Sequence, residues 1–269
     1  VFREPTSILA TASDWAKVSR LVARRWPNRP PVFSSTPIHE WPPAFAFDTE
    51  YDGQAPEGTL PFLKRWSLAY RGSQGPQVYV VEGGRAHVRL PRSLSGIARP
   101  RVVTQYAPAD IRYLKQLSGT SVWTHFVVDD SVWKHATLYS DHPHDLNYLG
   151  SIWSSMNRWK HLSEVSPELY AGADAWGTWE VDEALEKEFN RDPASRKVYV
   201  TIDRPAIEYF VEAQYRGMSV DTRRLGEVVG MLEMETHDAQ AKATAIAGWP
   251  INIGSPAQVS KRLFQVEKL

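Results

Sequence analysis

Polar and apolar residues along this chain change period part-way, and the change divides it. Ala44-Phe45-Ala46-Phe47, Trp66-Ser67-Leu68-Ala69-Tyr70, Val78-Tyr79-Val80-Val81 and Arg101-Val102-Val103-Thr104-Gln105 are short apolar or alternating runs bounded by glycine and proline. They read as strands, the second and third separated by the turn Arg71–Pro76. A strand at Ser7–Ala10 and a helix from Ser13-Asp14 to Ala23 precede them, the helix carrying Trp15, Val18, Leu21 and Val22 on one stripe. Pro27 to Pro43 holds six prolines and no period, which predicts a loop or insertion. Pro108–Leu117 predicts a helix, and Val122–Val128 a return to the sheet.

From Asp130 the period is mainly helical, over 144–155 and 167–189, with a polar break at Arg191–Ser195. Asp203-Arg204-Pro205 reads as the start of a helix that Gly217 closes. Asp221 caps a long helix ending at Gly248, and Ser255-Pro256 starts another. Strands first and helices after predict an α/β fold with a mixed sheet, followed by a helical segment, with the boundary near Lys197. Hence residues 1–197 form one expected domain and residues 198–269 a second.

Composition narrows the function little. The 269 residues are 42% hydrophobic and 23% charged, and 31 basic residues balance 31 acidic ones. No overall basic coat for nucleic acid is present. The charges are uneven, however: from Gly83 to Ala109 there is no acid, while Arg85, Arg89, Arg92, Arg99 and Arg101 all occur. This reads as an Arg-rich surface or as phosphate contacts. Most of the eleven tryptophans read as core residues. No apolar run is long enough to span a bilayer, and no signal-peptide pattern opens the chain. With no cysteine, any metal must be held by Asp, Glu, His or backbone oxygen, and a cytoplasmic setting is expected. His142-Pro143-His144 lacks a third ligand and reads as solvated loop. The chain opens on Val1 and closes on Lys268-Leu269 without a natural stop, and is expected to be a piece of a longer polypeptide.

The chemistry starts at Phe47-Asp48-Thr49-Glu50. Side chains alternate along a strand, so Asp48 and Glu50 share a face. Two like charges there are costly without a cation, and oxygen ligands suit Mg²⁺ or Mn²⁺. Asp110 opens a predicted helix, and Tyr170 and Asp174, four apart, share a helix face. Each alone is commonplace. Together they supply the several carboxylates that two metal ions about 3.5–4 Å apart require for phosphodiester hydrolysis. The Tyr170 phenol beside Asp174 suits orienting a water better than acting as a strong base, its ordinary pKa being about 10.

Phe45–Glu50, the Asp110 segment and Leu169–Asp174 resemble the three motifs of DEDDy-type exonucleases, the group of ribonuclease D and the proofreading domain of family A DNA polymerases. His144–Leu149 is similar to the helix start between the second and third motifs. Arg216–Asp221 resembles the entry into the family A polymerase domain, and Gly248–Val259 its Asn-x-x-Ser-x-x-Gln-Leu stretch, with Leu263-Phe264 following.

The resemblance implies a ribonuclease H-like exonuclease fold followed by the first polymerase helices. The implied reaction is hydrolysis at the 3′ end of single-stranded DNA with two Mg²⁺ or Mn²⁺ ions. Asp48, Glu50, Asp110 and Asp174 would hold the metals and Tyr170 the water. Thr49, Gln105 and Tyr106 would contact nucleic acid. Tyr106 stands where these polymerases usually have Asn, which touches substrate contact but not the acids. In the longer polymerase the partner would be primer–template DNA, and the location the cytoplasm, a host cell's for a viral source. The polymerase carboxylates are outside the chain, so this piece is not expected to polymerise. A ribonuclease D-like RNA exonuclease would share the acids. A silent primer-strand holder would have been free to lose them.

Overall fold

A computed structural model of the protein describes residues 32–34, 42–53, 60–73, 75–82, 99–118, 122–156 and 158–267. The expected strand and helix of residues 7–23 lie outside these, as do Arg85, Arg89 and Arg92. Two compact units result, Val1–Gly217 and Met218–Leu269.

The first unit is built on a six-stranded mixed sheet. Its strands are β1 (Val32–Ser34), β2 (Ala44–Tyr51), β3 (Leu63–Gly72), β4 (Gly75–Glu82), β5 (Arg101–Thr104) and β6 (Val127–Asp130), in the order β1-β4-β3-β2-β5-β6. The hairpins β2–β3 and β3–β4 are antiparallel, and β5 and β6 add parallel to β2. From β2 to β6 this is the ribonuclease H-like arrangement, an α/β fold as expected. Gly75, at φ 107°, makes the tight β3–β4 turn that a side chain would strain. β1 corrects the reading of 27–43 as a loop or insertion throughout: Val32 and Phe33 suit a strand, and β1 pairs in parallel with β4 to form the edge of the sheet.

Alternation along β2 sends Phe45 and Phe47 to one core and Ala46 to the other. On the first side lies α1 (Ala107–Ser118), through Ala107, Ile111 and Leu114. On the second lies α5 (Pro167–Arg191), where buried Ala171, Gly172, Ala173 and Ala175 let the helix approach closely. The Ser67 hydroxyl donates to the Ala171 carbonyl at 2.8 Å, pinning β3 to α5. Buried ion pairs hold α5 to the parallel strands: Lys134 reaches Asp182 at 2.6 Å and Asp129 at 3.3 Å, and Arg101 reaches Asp182 at 2.7 Å. Arg101, read in the sequence as surface or phosphate contact, is thus structural.

Between β5 and α5 the chain forms α2 (Val122–His125), α3 (Ser131–Leu138) and α4 (Leu146–Trp153). The expected strand over 122–128 is a helical turn before a shorter strand, because Val122 fills the α1-side core instead of the sheet. Asp130 ends β6 and caps twice: it accepts from Val132 N (2.8 Å) and Trp133 N (3.2 Å) of α3, and from Ala107 N at the start of α1. Asp145 caps α4 through Tyr148 N. His142 bonds the Tyr148 hydroxyl, and His144 meets the His135 ring at 2.6 Å, so the expected solvated turn is tied down.

After α5 the chain runs through α6 (Pro193–Val198), a π-type turn at Tyr199–Asp203 and α7 (Arg204–Arg216), which Gly217 ends at φ 70°. Helix α7 starts after Asp203 as expected, but it runs on from the π-type turn without a break: Asp203 is itself helical and makes no side-chain cap. Pro205, lacking an N–H, is accommodated by the wider turn before it. Ile207 and Val211 of α7 are fully buried with Phe45 and Ile111, and Glu212 accepts from Lys115 and from Trp123 Nε1. The compact unit therefore ends at Gly217 and not near Lys197.

In the second unit Asp221 caps α8 (Thr222–Ala247) by accepting from Arg224 N at 2.9 Å, and Gly248 closes it in the left-handed region. Ser255 caps α9 (Pro256–Ser260). The Gln258 side chain accepts from Asn252 N at 2.9 Å, and Asn252 Oδ1 accepts from Gly254 N, so the Asn, Ser and Gln of this stretch shape a turn.

Candidate active site

Asp48 and Glu50 leave β2 on the α5 face, and Asp174 descends from α5 onto them. One carboxylate oxygen from each lies within 4.8 Å of the others, the one such His/Asp/Glu group among the described residues. Tyr170 sits one helical turn before Asp174, as the four-residue spacing predicts. Asp110 approaches from the other face, in the first turn of α1, where Thr49 N and Oγ1 donate to its Oδ1 at 3.1 and 2.7 Å. Thr49 is buried. Its amide and hydroxyl hold Asp110.

Crowding of acids leaves an electrostatic signature. Burial, and then the charges of Asp110, Asp174 and Glu50, push the Asp48 carboxyl well above its ordinary range. Burial and Asp174 raise Glu50 to about 7. Burial also raises Asp110 to about 7, against the lowering effect of the Thr49 hydrogen bonds. Buried Asp48 Oδ2 has no hydrogen-bond partner. Three converging carboxylates, one of them with an orphaned buried oxygen, fit a hard divalent cation such as Mg²⁺ or Mn²⁺.

Two residues that the sequence reading passed over complete the cluster. Lys160 begins a single 3₁₀ turn, Lys160–Leu162, and its ammonium donates to both oxygens of Asp174 at 2.8 Å and to the Tyr170 hydroxyl at 3.2 Å. Burial pulls the Lys160 pKa down, and Asp174 and Tyr170 more than offset this, so it lies above its ordinary value. Trp159 Nε1 donates to Asp174 Oδ1. The signal available in the sequence was electrostatic: clustered acids call for a nearby cation, and Lys160 precedes the third-motif helix. Burial and the Asp174 charge raise the Tyr170 phenol to about 12, so it remains protonated at neutral pH.

Beside this cluster lies an open cleft of about 420 Å³, lined among others by Gln105, Tyr106, His144, Asn147 and Lys160. Gln105 is held by its own hydrogen bonds, donating to the His144 carbonyl at 2.8 Å and accepting from Ser131 Oγ. Tyr106 is 46% exposed at the rim. Of the eight expected site residues, six therefore lie at the acids or along this cleft; Asp110 and Thr49 form a pair behind Asp48.

No family model matches the chain. It is 30% identical over 95 residues to DNA polymerase I of Chloroflexus aurantiacus, a match covering 35% of this chain and about a tenth of that protein. Among solved structures it is similar to an apo nuclease (18% identity, TM-score 0.45, covering 63% of this chain and 81% of that one). It is similar also to Brucella melitensis NrnC with bound Mg²⁺ (17%, TM-score 0.42, covering 64% and 83%) and to the Aedes aegypti Nibbler EXO domain (13%, TM-score 0.36, covering 76% and 92%). No helix among the described residues is long and apolar enough to cross a membrane.

Proposed function

We propose that this chain is a metal-dependent 3′–5′ exonuclease unit, the proofreading part of a family A DNA polymerase, followed by the first polymerase helices. The observation that carries the reading is the meeting of Asp48, Glu50 and Asp174, with one buried Asp48 oxygen unpartnered and Tyr170 one turn away. The short match to DNA polymerase I and the sequence motifs of the second unit support the polymerase parent. Both that parent and the preference for DNA belong to this proposal.

Asp48, Glu50 and Asp174 would hold one ion, and Asp48 with Asp110 a second. Mg²⁺ or Mn²⁺ bound there would supply Lewis-acid activation of water and neutralisation of charge at the phosphodiester. Asp110 would be kept in place for this by Thr49. Tyr170, protonated at neutral pH, would orient a water by hydrogen bonding and not deprotonate it. Gln105 and Tyr106, on the cleft beside the acids, would position the 3′ end of the strand.

The test is digestion of a 5′-labelled single-stranded DNA with Mg²⁺ or Mn²⁺, comparing the wild type with Asp48→Ala/Glu50→Ala. The expected result is a ladder shortening from the 3′ end, absent with EDTA and in the double variant. Faster removal of RNA ends would move the chain to a ribonuclease D-like activity. No cleavage by folded protein would leave a strand-holding domain.

A further inference from the structure

Lys160 occupies Asp174 in a way that a metal on the three acids could not leave undisturbed. Its ammonium lies 2.8 Å from each Asp174 oxygen, so both oxygens already face a positive charge. The side chain is also partly open to solvent: it is 36% exposed, rests over the Tyr170 ring at 5.0 Å, and lines the cleft that holds Gln105, Tyr106 and Asn147. A divalent ion drawing on an Asp174 oxygen would meet the ammonium at close range, in a half-buried place where like charges repel strongly. A flexible four-carbon stem allows the ammonium to swing away, and the open direction is the cleft.

We propose that Lys160 is an exchangeable cation. With no metal bound it neutralises and positions Asp174; when metal binds, it is released into the cleft and takes a phosphate of the nucleic-acid strand. This rests on the exonuclease reading and adds to it a coupling: the metal frees the lysine, and the strand gains a contact that exists only when the metal is in place. By linkage, strand and metal then strengthen each other's binding.

The test reads binding, not turnover. Mn²⁺ affinity is measured by electron paramagnetic resonance on wild type and Lys160→Met without nucleic acid. The affinity of an oligothymidylate with a phosphorothioate 3′ end is measured with and without Mn²⁺. The variant is expected to bind Mn²⁺ about tenfold more tightly, through loss of the competing charge, and to lose the gain in oligonucleotide affinity that Mn²⁺ gives the wild type. Because the chain has no cysteine, Lys160→Cys can be alkylated with 2-bromoethylamine in the folded protein, restoring an ammonium and, with it, wild-type behaviour. That comparison stands even where Lys160→Met folds poorly. Equal or weaker Mn²⁺ binding by a folded variant, or an unchanged effect of Mn²⁺ on the oligonucleotide, overturns the exchange alone. Absence of saturable Mn²⁺ binding by both wild type and variant overturns the nuclease reading and the exchange together.

Discussion

The indole of Trp159 fills the space that a side chain on Gly177 would need: a Cβ there would stand 2.9 Å from Trp159 Cζ2. The same ring presses on Gly150 of α4, where a Cβ would meet Trp159 Cη2 at 2.5 Å. Two glycines, one on each helix, therefore admit the ring whose Nε1 bonds Asp174.

Gly177→Ala is accordingly expected to push Trp159 out of its seat. Overpacking of this kind costs about 1–3 kcal/mol, to be read as a lower urea midpoint. Mn²⁺ affinity should change with it, because Asp174 loses its indole donor. A variant with wild-type stability would show that the ring has another resting place.

Tyr170→Phe removes the hydroxyl that the proposed function assigns to orienting a water, and leaves the three acids in place. Turnover should fall about 10²-fold, the low end of what one positioned proton donor or acceptor contributes, while Mn²⁺ binding stays near the wild-type value. A parallel loss of metal binding would mean that the phenol matters through Asp174 and Lys160 instead.

Asp48→Asn is expected to separate stability from activity. Removing one of three crowded carboxylates relieves like-charge repulsion in the metal-free protein, so its melting temperature should rise. Exonuclease activity should drop at least about 10²-fold with the loss of a proposed metal ligand, and added Mg²⁺ should no longer raise the melting temperature. Calorimetry with and without Mg²⁺ checks both signs.

Asp130, the shared cap of α1 and α3, gives a pH dependence of stability. Burial raises its carboxyl to about 6 despite three backbone donors. Because the folded value lies above the unfolded one, the native state holds the proton longer, and stability falls as pH rises from about 4 to about 6. A two-unit shift is on the order of 2–3 kcal/mol. Asp130→Asn should lack that part of the slope, seen as the difference between the two proteins' urea midpoints at pH 4 and pH 7. Identical slopes would mean that Asp130 titrates as it does when unfolded.

What could be read from the sequence was local. Asp48 and Glu50 share a face because strands alternate, Tyr170 and Asp174 because helices turn in 3.6 residues, and the caps at Asp145, Asp221 and Ser255 carry their own side-chain signal. What was missed depends on distant partners. Lys160 is one basic residue in an irregular stretch until Asp174 is folded over it. The bond from Thr49 to Asp110 joins residues 61 positions apart and has no local signal. Val32–Ser34 is hidden among prolines and becomes a strand because β4 offers it an edge. Arg101 read as surface or phosphate contact because its partners, Asp129 and Asp182, lie 28 and 81 positions away.

Helix α7 carries a practical consequence for dissecting this chain. A piece cut at residue 197, where the sequence suggests a seam, would lose Ile207 and Val211 and open a slot in the wall behind α1. It would also strip Lys115, five residues beyond Asp110 on that helix, of its carboxylate partner Glu212. The acid would remain in the chain while the support of its helix went. A cut after Gly217 keeps that wall closed, which makes the last helix before the seam part of the first unit's foundation.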